Sequence, residues 1–324
     1  MALTTYIEAI REAMQEEMRR DPAVFLLGED VATYGGAFRA SAGFLEEFGE
    51  DRVVDTPISE SGIVGVAVGA AMNGLKPIAE MQFIDFLSNG FNQLVNMAAK
   101  ARYRWNAGVP IVVRGPCGGG VHGGPYHSQN VESHYLSTPG LKIVEPATAH
   151  DAKGLLKAAI RDPDPVLYFE HKFLYRRVKE ELPEGDWIVP LGKAAVRRAG
   201  EDLSVITFGA CVHHALEAAD ALEGEGISAE VVDLRTLLPL DRDALCESVK
   251  KTSRAIVYHE AQRTGGVGAE IAAILAEECF EWLDAPVVRV TAPDSPVPYS
   301  PPLEAAFLPG PLALLTAARR LVAY

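Results

Sequence analysis

The sequence predicts an α/β protein of two domains, each a mostly parallel sheet flanked by helices. Three observations carry that prediction. Short β-branched runs alternate with helix-length amphipathic stretches in the first half, and the alternation restarts in the second half with its own apolar runs. The 324 residues also exceed one common domain size.

Taken in order, residues 9–19 have the apolar period of an amphipathic helix, and residues 24–28 form an apolar run of strand length. Residues 52–56 read as a second strand that stops at Pro57. Ser59 or Ser61 can then cap a helix over 62–75. A third strand over 77–81, a helix from about 88 to 105 and a strand over 111–114 follow. The acidic run from Glu180 to Asp186, interrupted by Pro183 and Gly185, has linker chemistry and places the boundary at 185, giving domains 1–185 and 186–324. Beyond it, strands are expected at 203–208, 229–234, 255–259 and 286–290, with helices at 213–222, 241–251 and 267–281. The Pro-rich stretch 297–302 is stiff enough for an extended surface arm.

Composition bounds the function. The chain is 48% hydrophobic and 23% charged, as in an ordinary globular protein, and its formal net charge of −14 argues against nucleic acid or an anionic membrane as partner. A basic protein partner is easier to accommodate. The first residues lack the basic and apolar regions of a signal peptide, and no apolar run looks long enough to span a bilayer, so a cytoplasmic location is expected. Cys117, Cys211, Cys246 and Cys279 lack CxxC spacing, which indicates neither a zinc site nor a disulfide framework.

The most informative acid is Glu60. It sits between a strand and a helix on which Gly62, Gly65 and Gly69 share one side, so another backbone is expected to come close. In such a crowded place burial disfavours the charged carboxylate while the helix N-terminus favours it. An acid of this kind can share a proton with a ring nitrogen; the alternative is a helix-capping glutamate. Glu29, Glu60, Gln82 and the loop after Arg114 all fall at the carboxyl ends of strands, where α/β sheets bind ligands. That loop is glycine-rich, which lets backbone approach a ligand, and it carries His122 and His127, which exchange protons near neutral pH. The two histidines could also hold a metal. Gly265 to Glu270 is similar to a dinucleotide loop but lacks the full glycine spacing and reads as a tight helix-packing turn, while His213 and His214 read as structural or solvent-facing.

Five blocks, in order, carry a family resemblance: Leu27-Gly28-Glu29-Asp30-Val31, the stretch from Asp55 to Ala71, Ala79 to Phe86, Tyr126-His127-Ser128-Gln129, and Pro139 to Val144. Together they resemble the β subunit of thiamine-diphosphate-dependent 2-oxo acid dehydrogenases, and the Glu80 to Phe86 and Tyr126 to Gln129 blocks look most like the branched-chain (2-oxoisovalerate) type. The resemblance implies a pyrimidine-binding domain, then a transketolase-like C-terminal domain, in an α2β2 heterotetramer. It implies that Glu60 hydrogen-bonds the aminopyrimidine and promotes its imino tautomer, that Phe86 stacks on that ring with Gln82 and Ile58 beside it, and that Glu29 is a wall residue. His127 is implied to lie near substrate and the incoming lipoyl group, with Tyr126 and Phe86 on the substrate side.

The GDG motif that normally holds the cofactor's diphosphate through Mg2+ is absent from this chain, so an α subunit is expected to supply it. The implied reaction is oxidative decarboxylation of a 2-oxo acid with acyl transfer to a lipoyl domain of the dihydrolipoyl acyltransferase. The acyltransferase's subunit-binding domain would dock near Glu277, Glu278, Glu281 and Asp284, where a solvated acidic helix is the alternative. Ala159, Asp162 and Asp164 match a potassium loop of some relatives or form a solvated turn. A pyruvate or acetoin dehydrogenase subunit and a noncatalytic scaffold remain the competing readings.

Overall fold

The computed structural model describes residues 3–324 and forms two compact units, one comprising the chain to Cys117 with His134–Leu191, the other Gly118–Ser133 with Gly192–Tyr324. The division differs from a single cut at 185. The junction falls at Leu191, and the histidine loop belongs to the second unit although strands of the first unit flank it in sequence.

The first unit opens with helix α1 (Tyr6–Arg20). Its N-terminus is a capping box, in which the Thr5 hydroxyl accepts the Glu8 N–H and the Glu8 carboxylate accepts the Thr5 N–H. Strands β1 (Val24–Gly28), β2 (Val53–Asp55), β3 (Lys76–Glu80), β4 (Val112–Cys117), β5 (Lys142–Val144) and β6 (Val166–His171) make a parallel sheet in the order β5-β6-β4-β3-β1-β2. Every residue of β4 and β6 is buried, as expected of strands covered on both faces. Helix α2 (Glu60–Met72) follows β2, and α3 (Ala149–Arg161) packs on α1. Lys153, Lys157 and Arg161 of α3 pair with Glu12, Glu16 and Glu17 of α1, which is how Lys157 lies buried in a helix interface.

The helix expected over 88–105 is three pieces: a 3-10 turn at Ile84–Gly90, a π-helix at Gln93–Ala98 and an α-helix at Ala99–Trp105. Wide turns of this kind recur at functional sites. Asp162 accepts two bonds from Lys142, each at 2.6 Å, and the Asp164 N–H at 2.9 Å, while Asp164 binds Arg102 at 2.5 Å, so both carboxylates of that turn are ion-paired.

In the second unit, strands β7 (Ala195–Arg198), β8 (Leu203–Thr207), β9 (Ala229–Asp233), β10 (Ala255–Gln262) and β11 (Val288–Ala292) run in the order β11-β10-β8-β9-β7, with only β7 antiparallel to its neighbour. Helices α4 (Cys211–Glu223), α5 (Arg242–Thr252), α6 (Val267–Glu278), α7 (Pro301–Phe307) and α8 (Pro311–Val322) complete it. The span Pro301–Val322 is long and apolar enough to cross a membrane, contrary to the sequence expectation. It is nevertheless two helices, and Leu314, Leu315, Ala318 and Leu321 pack into the second unit's core with Leu203, Val205 and Ile256.

The glycine turn before α6 packs as expected. The Gly268 N–H donates to His259 Nε2 at 3.1 Å, and a Cβ at Gly268 would stand 2.7 Å from that atom. Burial, followed by Arg289, pushes His259 down to about 4, which keeps this nitrogen an acceptor. His214 lies 3.2 Å from the Tyr258 hydroxyl, a structural contact. The expected arm at 297–302 is not free: Val297 is buried and Pro301 already begins α7. All four cysteines are free thiols.

Candidate active site

The carboxyl ends of β1, β2 and β3 bring together Glu29, the turn from Thr56 to Glu60, and Gln82 to Phe86. The Thr56 N–H donates to the Gly28 carbonyl at 2.9 Å, carrying the β1–β2 pairing past the strand end. Asp55 then accepts the Ala32 N–H at 2.7 Å, which ties the loop after β1 across the end of β2.

Glu60 is the first residue of α2 and is only 8% exposed. Ser59 occupies the cap position but makes no side-chain capping bond, so neither serine caps the helix as expected. The Glu60 carboxylate is engaged instead by the Asn89 side chain, whose amide donates to Oε2 at 3.0 Å. Close approach to α2 does occur, but at a different glycine. Gly90 presses the 84–90 turn onto the helix, where a Cβ would come 2.7 Å from Val64 Cγ2, whereas Gly69 faces open space and Gly65 finds nothing nearer than Gln93 Cγ at 3.8 Å.

Glu29 is buried beside this acid, and burial, then the Glu60 and Asp30 carboxylates, raise its pKa. Gln82 and Phe86 are half-buried, and Phe86 meets Phe83 edge to face at 6.5 Å between ring centroids. The aromatic contacts continue through Phe38 to Tyr175. Ile58 is 84% exposed and stands on the surface of the unit.

Beneath these ends lies a buried charge cluster that sequence patterning does not reveal. Arg114 of β4 forks onto Glu170 of β6 through Nε at 2.5 Å and Nη2 at 2.6 Å, and its Nη1 binds Glu80 of β3. Burial opposes the guanidinium charge, but Glu170 and Glu80 outweigh it and hold Arg114 well above its ordinary value; burial outweighs Arg114 at Glu80, which is raised. The only sequence signal was one charged residue within or at the end of each of three otherwise apolar stretches.

His127 and Tyr126 belong to the second unit. His127 is half-buried and Tyr126 is exposed. Their loop has positive φ at Gly118, Gly120, His122 and Gly124. That backbone makes a nest of N–H groups for an anion, and the anions are the protein's own. The Gly119 N–H donates to Glu260 at 2.5 Å; the Gly120 and His122 N–H groups donate to Glu304 at 3.1 and 3.2 Å; and His122 Nδ1 lies 2.6 Å from Glu304 Oε2. The expectation that these glycines expose backbone to a ligand is therefore corrected: those N–H groups are taken. Among the described residues no group of three His, Cys, Asp or Glu could hold a metal ion, so His122 and His127 are not part of such a cluster.

Comparison with known proteins agrees with this geometry. Residues 3–178 match the family described as transketolase, pyrimidine binding domain, and residues 192–313 match transketolase, C-terminal domain. The chain is 54% identical over 327 residues to 2-oxoisovalerate dehydrogenase subunit beta of Bacillus subtilis (strain 168), covering 100% of both chains. It is 47% identical over 328 residues to pyruvate dehydrogenase E1 component subunit beta of the same organism, again covering 100% of both. A solved structure titled split gene transketolase, inactive beta4 tetramer, shares the fold with a TM-score of 0.82 at 24% identity, covering 99% of each chain. The strand-end acids, the two mostly parallel sheets and these full-length matches place the chain in the family of 2-oxo acid dehydrogenase β subunits built from transketolase-type pyrimidine-binding and C-terminal domains.

Proposed function

We propose that the chain supplies the pyrimidine side of a thiamine diphosphate site, works with an α subunit in an α2β2 tetramer, and serves the oxidative decarboxylation of branched-chain 2-oxo acids such as 2-oxoisovalerate. The observation that carries this reading is Glu60: a buried carboxylate at a strand end, held by one neutral amide and with no cationic partner among the described residues. Its donor set suits a nitrogen heterocycle, because the carboxylate can exchange a proton with a ring nitrogen while Phe86 and Gln82 offer a ring face and an amide. When bound, the cofactor supplies the carbon nucleophile for the 2-oxo carbonyl. Glu60 holds and returns the proton, and the neighbouring Glu29 carboxyl has its pKa raised by burial and by the Glu60 and Asp30 carboxylates. His127 and Tyr126 are assigned to substrate and to the arriving lipoyl group.

The diphosphate and its Mg2+ are assigned to the α subunit, because the chain carries no GDG motif. A covering partner on α2 is supported by its outer side, where Ile58, Val66 and Met72 are exposed together with Gly62 and Gly69. Identity of 54% to the 2-oxoisovalerate enzyme subunit against 47% to the pyruvate one supports branched-chain preference. Pyruvate is the second reading. We also assign docking of the acyltransferase's subunit-binding domain to the acidic end of α6, and a cytoplasmic location. Copurification with the α chain followed by a panel of 2-oxo acids tests the proposal: kcat/KM highest for 2-oxoisovalerate supports it, and preference for pyruvate replaces the substrate. Full decarboxylation by α chains alone would make this subunit a scaffold.

A further inference from the structure

We propose that Glu304 is a positioning residue that holds the loop carrying His127 in its working conformation. The inference rests on the assignment of His127 to acyl transfer and adds what fixes that histidine in place. Glu304 is 1% exposed, and a buried carboxylate needs hydrogen bonds to be tolerated. It takes them from the loop: the N–H groups of Gly120 and His122 and the His122 ring, residues more than 180 positions earlier. Glu260 grips the same loop on either side, through the Gly119 N–H and through Asn130 Nδ2 at 2.9 Å. The α7 segment presses on the loop as well. A Cβ at Gly119 would stand 3.0 Å from Leu308 Cδ2, and one at Gly124 would fall 2.3 Å from Tyr299 Cε1.

The glycine at 124, with φ +68°, is thus required by this packing, and the one at 119 is held tightly. Pro301 and Pro302 at the start of α7 stiffen the support that presents Glu304. His127 follows the anchored turn by five residues, and its own N–H returns to the Gly124 carbonyl at 3.4 Å. Loss of Glu304 would free the turn without removing the hydrogen bond from Asn89 to Glu60, so the two half-reactions should respond differently.

The test uses the assembled α2β2 protein carrying Glu304→Ala or Glu304→Gln. Decarboxylation is followed with a redox dye as artificial acceptor, and acyl transfer is followed with an isolated lipoyl domain. Glu304→Ala is expected to lower kcat/KM for the lipoyl domain about tenfold, a loss of one modest transition-state interaction, with dye-linked turnover changed less than twofold. Amide exchange over 118–127 should speed up. Glu304→Gln, whose carbonyl still accepts the two N–H bonds, should recover most of both losses. The proposal is overturned if acyl transfer by assembled Glu304→Ala equals wild type, if its loop exchange is unchanged, or if both half-reactions fall together with melting temperature. His127→Ala is run in parallel. Should it transfer acyl groups normally, the role of His127 fails on its own, and the exchange data still decide whether Glu304 holds the loop.

Discussion

Asn89 donates its side-chain amide to Oε2 of Glu60 at 3.0 Å across 29 residues of sequence. The contact exists because Gly90 lets the 84–90 turn lie directly on α2. It fixes one carboxylate oxygen as an acceptor and leaves the other available for a proton. Glu60→Gln and Glu60→Ala are therefore expected to lower decarboxylation by about 10²–10⁴-fold, the usual worth of a positioned acid or base, with tetramer assembly intact by size exclusion. Asn89→Ala should cost less. Normal turnover by Glu60→Ala would remove this acid from the mechanism.

His127→Ala is expected to depress turnover with lipoyl acceptor while the melting temperature stays within a degree or two, since the side chain is only half-buried. His122→Ala should have a smaller effect on turnover. Parallel loss of stability and activity in His127→Ala would assign the residue to the fold.

The Arg114 cluster separates two kinds of buried charge. Arg114→Leu leaves Glu80 and Glu170 buried without their cation and is expected to destabilise the chain by about 3–5 kcal/mol in urea titration. Glu80→Gln should be far milder, because burial already favours its neutral form and Glu170 still engages Arg114 twice. Equal effects would contradict this division of roles.

Glu132 provides a pH test. Its side chain is 0% exposed, and burial, with a smaller contribution from Glu260, lifts it to about 7. The unfolded chain ionises this carboxyl near the ordinary value of about 4.3. Between that value and about 7 the unfolded state has released the proton and the folded state keeps it, so folding stability from this group declines as pH rises through the window. Glu132→Gln should raise the melting temperature at pH 8 relative to wild type and make little difference at pH 4. A gain of the same size at both pH values would show that packing, not ionisation, causes it.

Docking at the end of α6 is expected to be electrostatic. Glu278 is already paired with Arg242 at 2.6 Å, which leaves Glu277 and Glu281 as exposed acids for a basic partner. Reversing both to Lys should slow association of the acyltransferase's subunit-binding domain, and the wild-type on-rate should fall with salt. Decarboxylation by the free tetramer serves as the control. A salt-insensitive on-rate unaffected by the reversals would move the docking surface elsewhere.

Local patterning made the two sheets readable because parallel strands buried on both faces are near-continuous apolar runs, as in Val24-Phe25-Leu26-Leu27. Glu60 was readable for a different reason, since the strand end and helix start fall within five residues of each other. What patterning could not show were pairings between distant strands, such as Arg114 with Glu170, and the third-party hold on the histidine loop. Gly118 to Gly124 read as a loop whose backbone approaches a ligand; only the fold shows that Glu304, far along the chain, takes its N–H groups. The glycine face of α2 was readable as a packing surface, but its close contact within this chain is made by Gly90.

The grip of Glu304 on the histidine loop also sets an order of events during synthesis. Residues 118–124 leave the ribosome long before α7 does, and the Gly120 and His122 N–H groups lack their carboxylate until Glu304 emerges. The loop is therefore among the late parts of the protein to acquire its shape. A truncation anywhere before residue 304 would leave every residue of the loop present and its buried anchor missing.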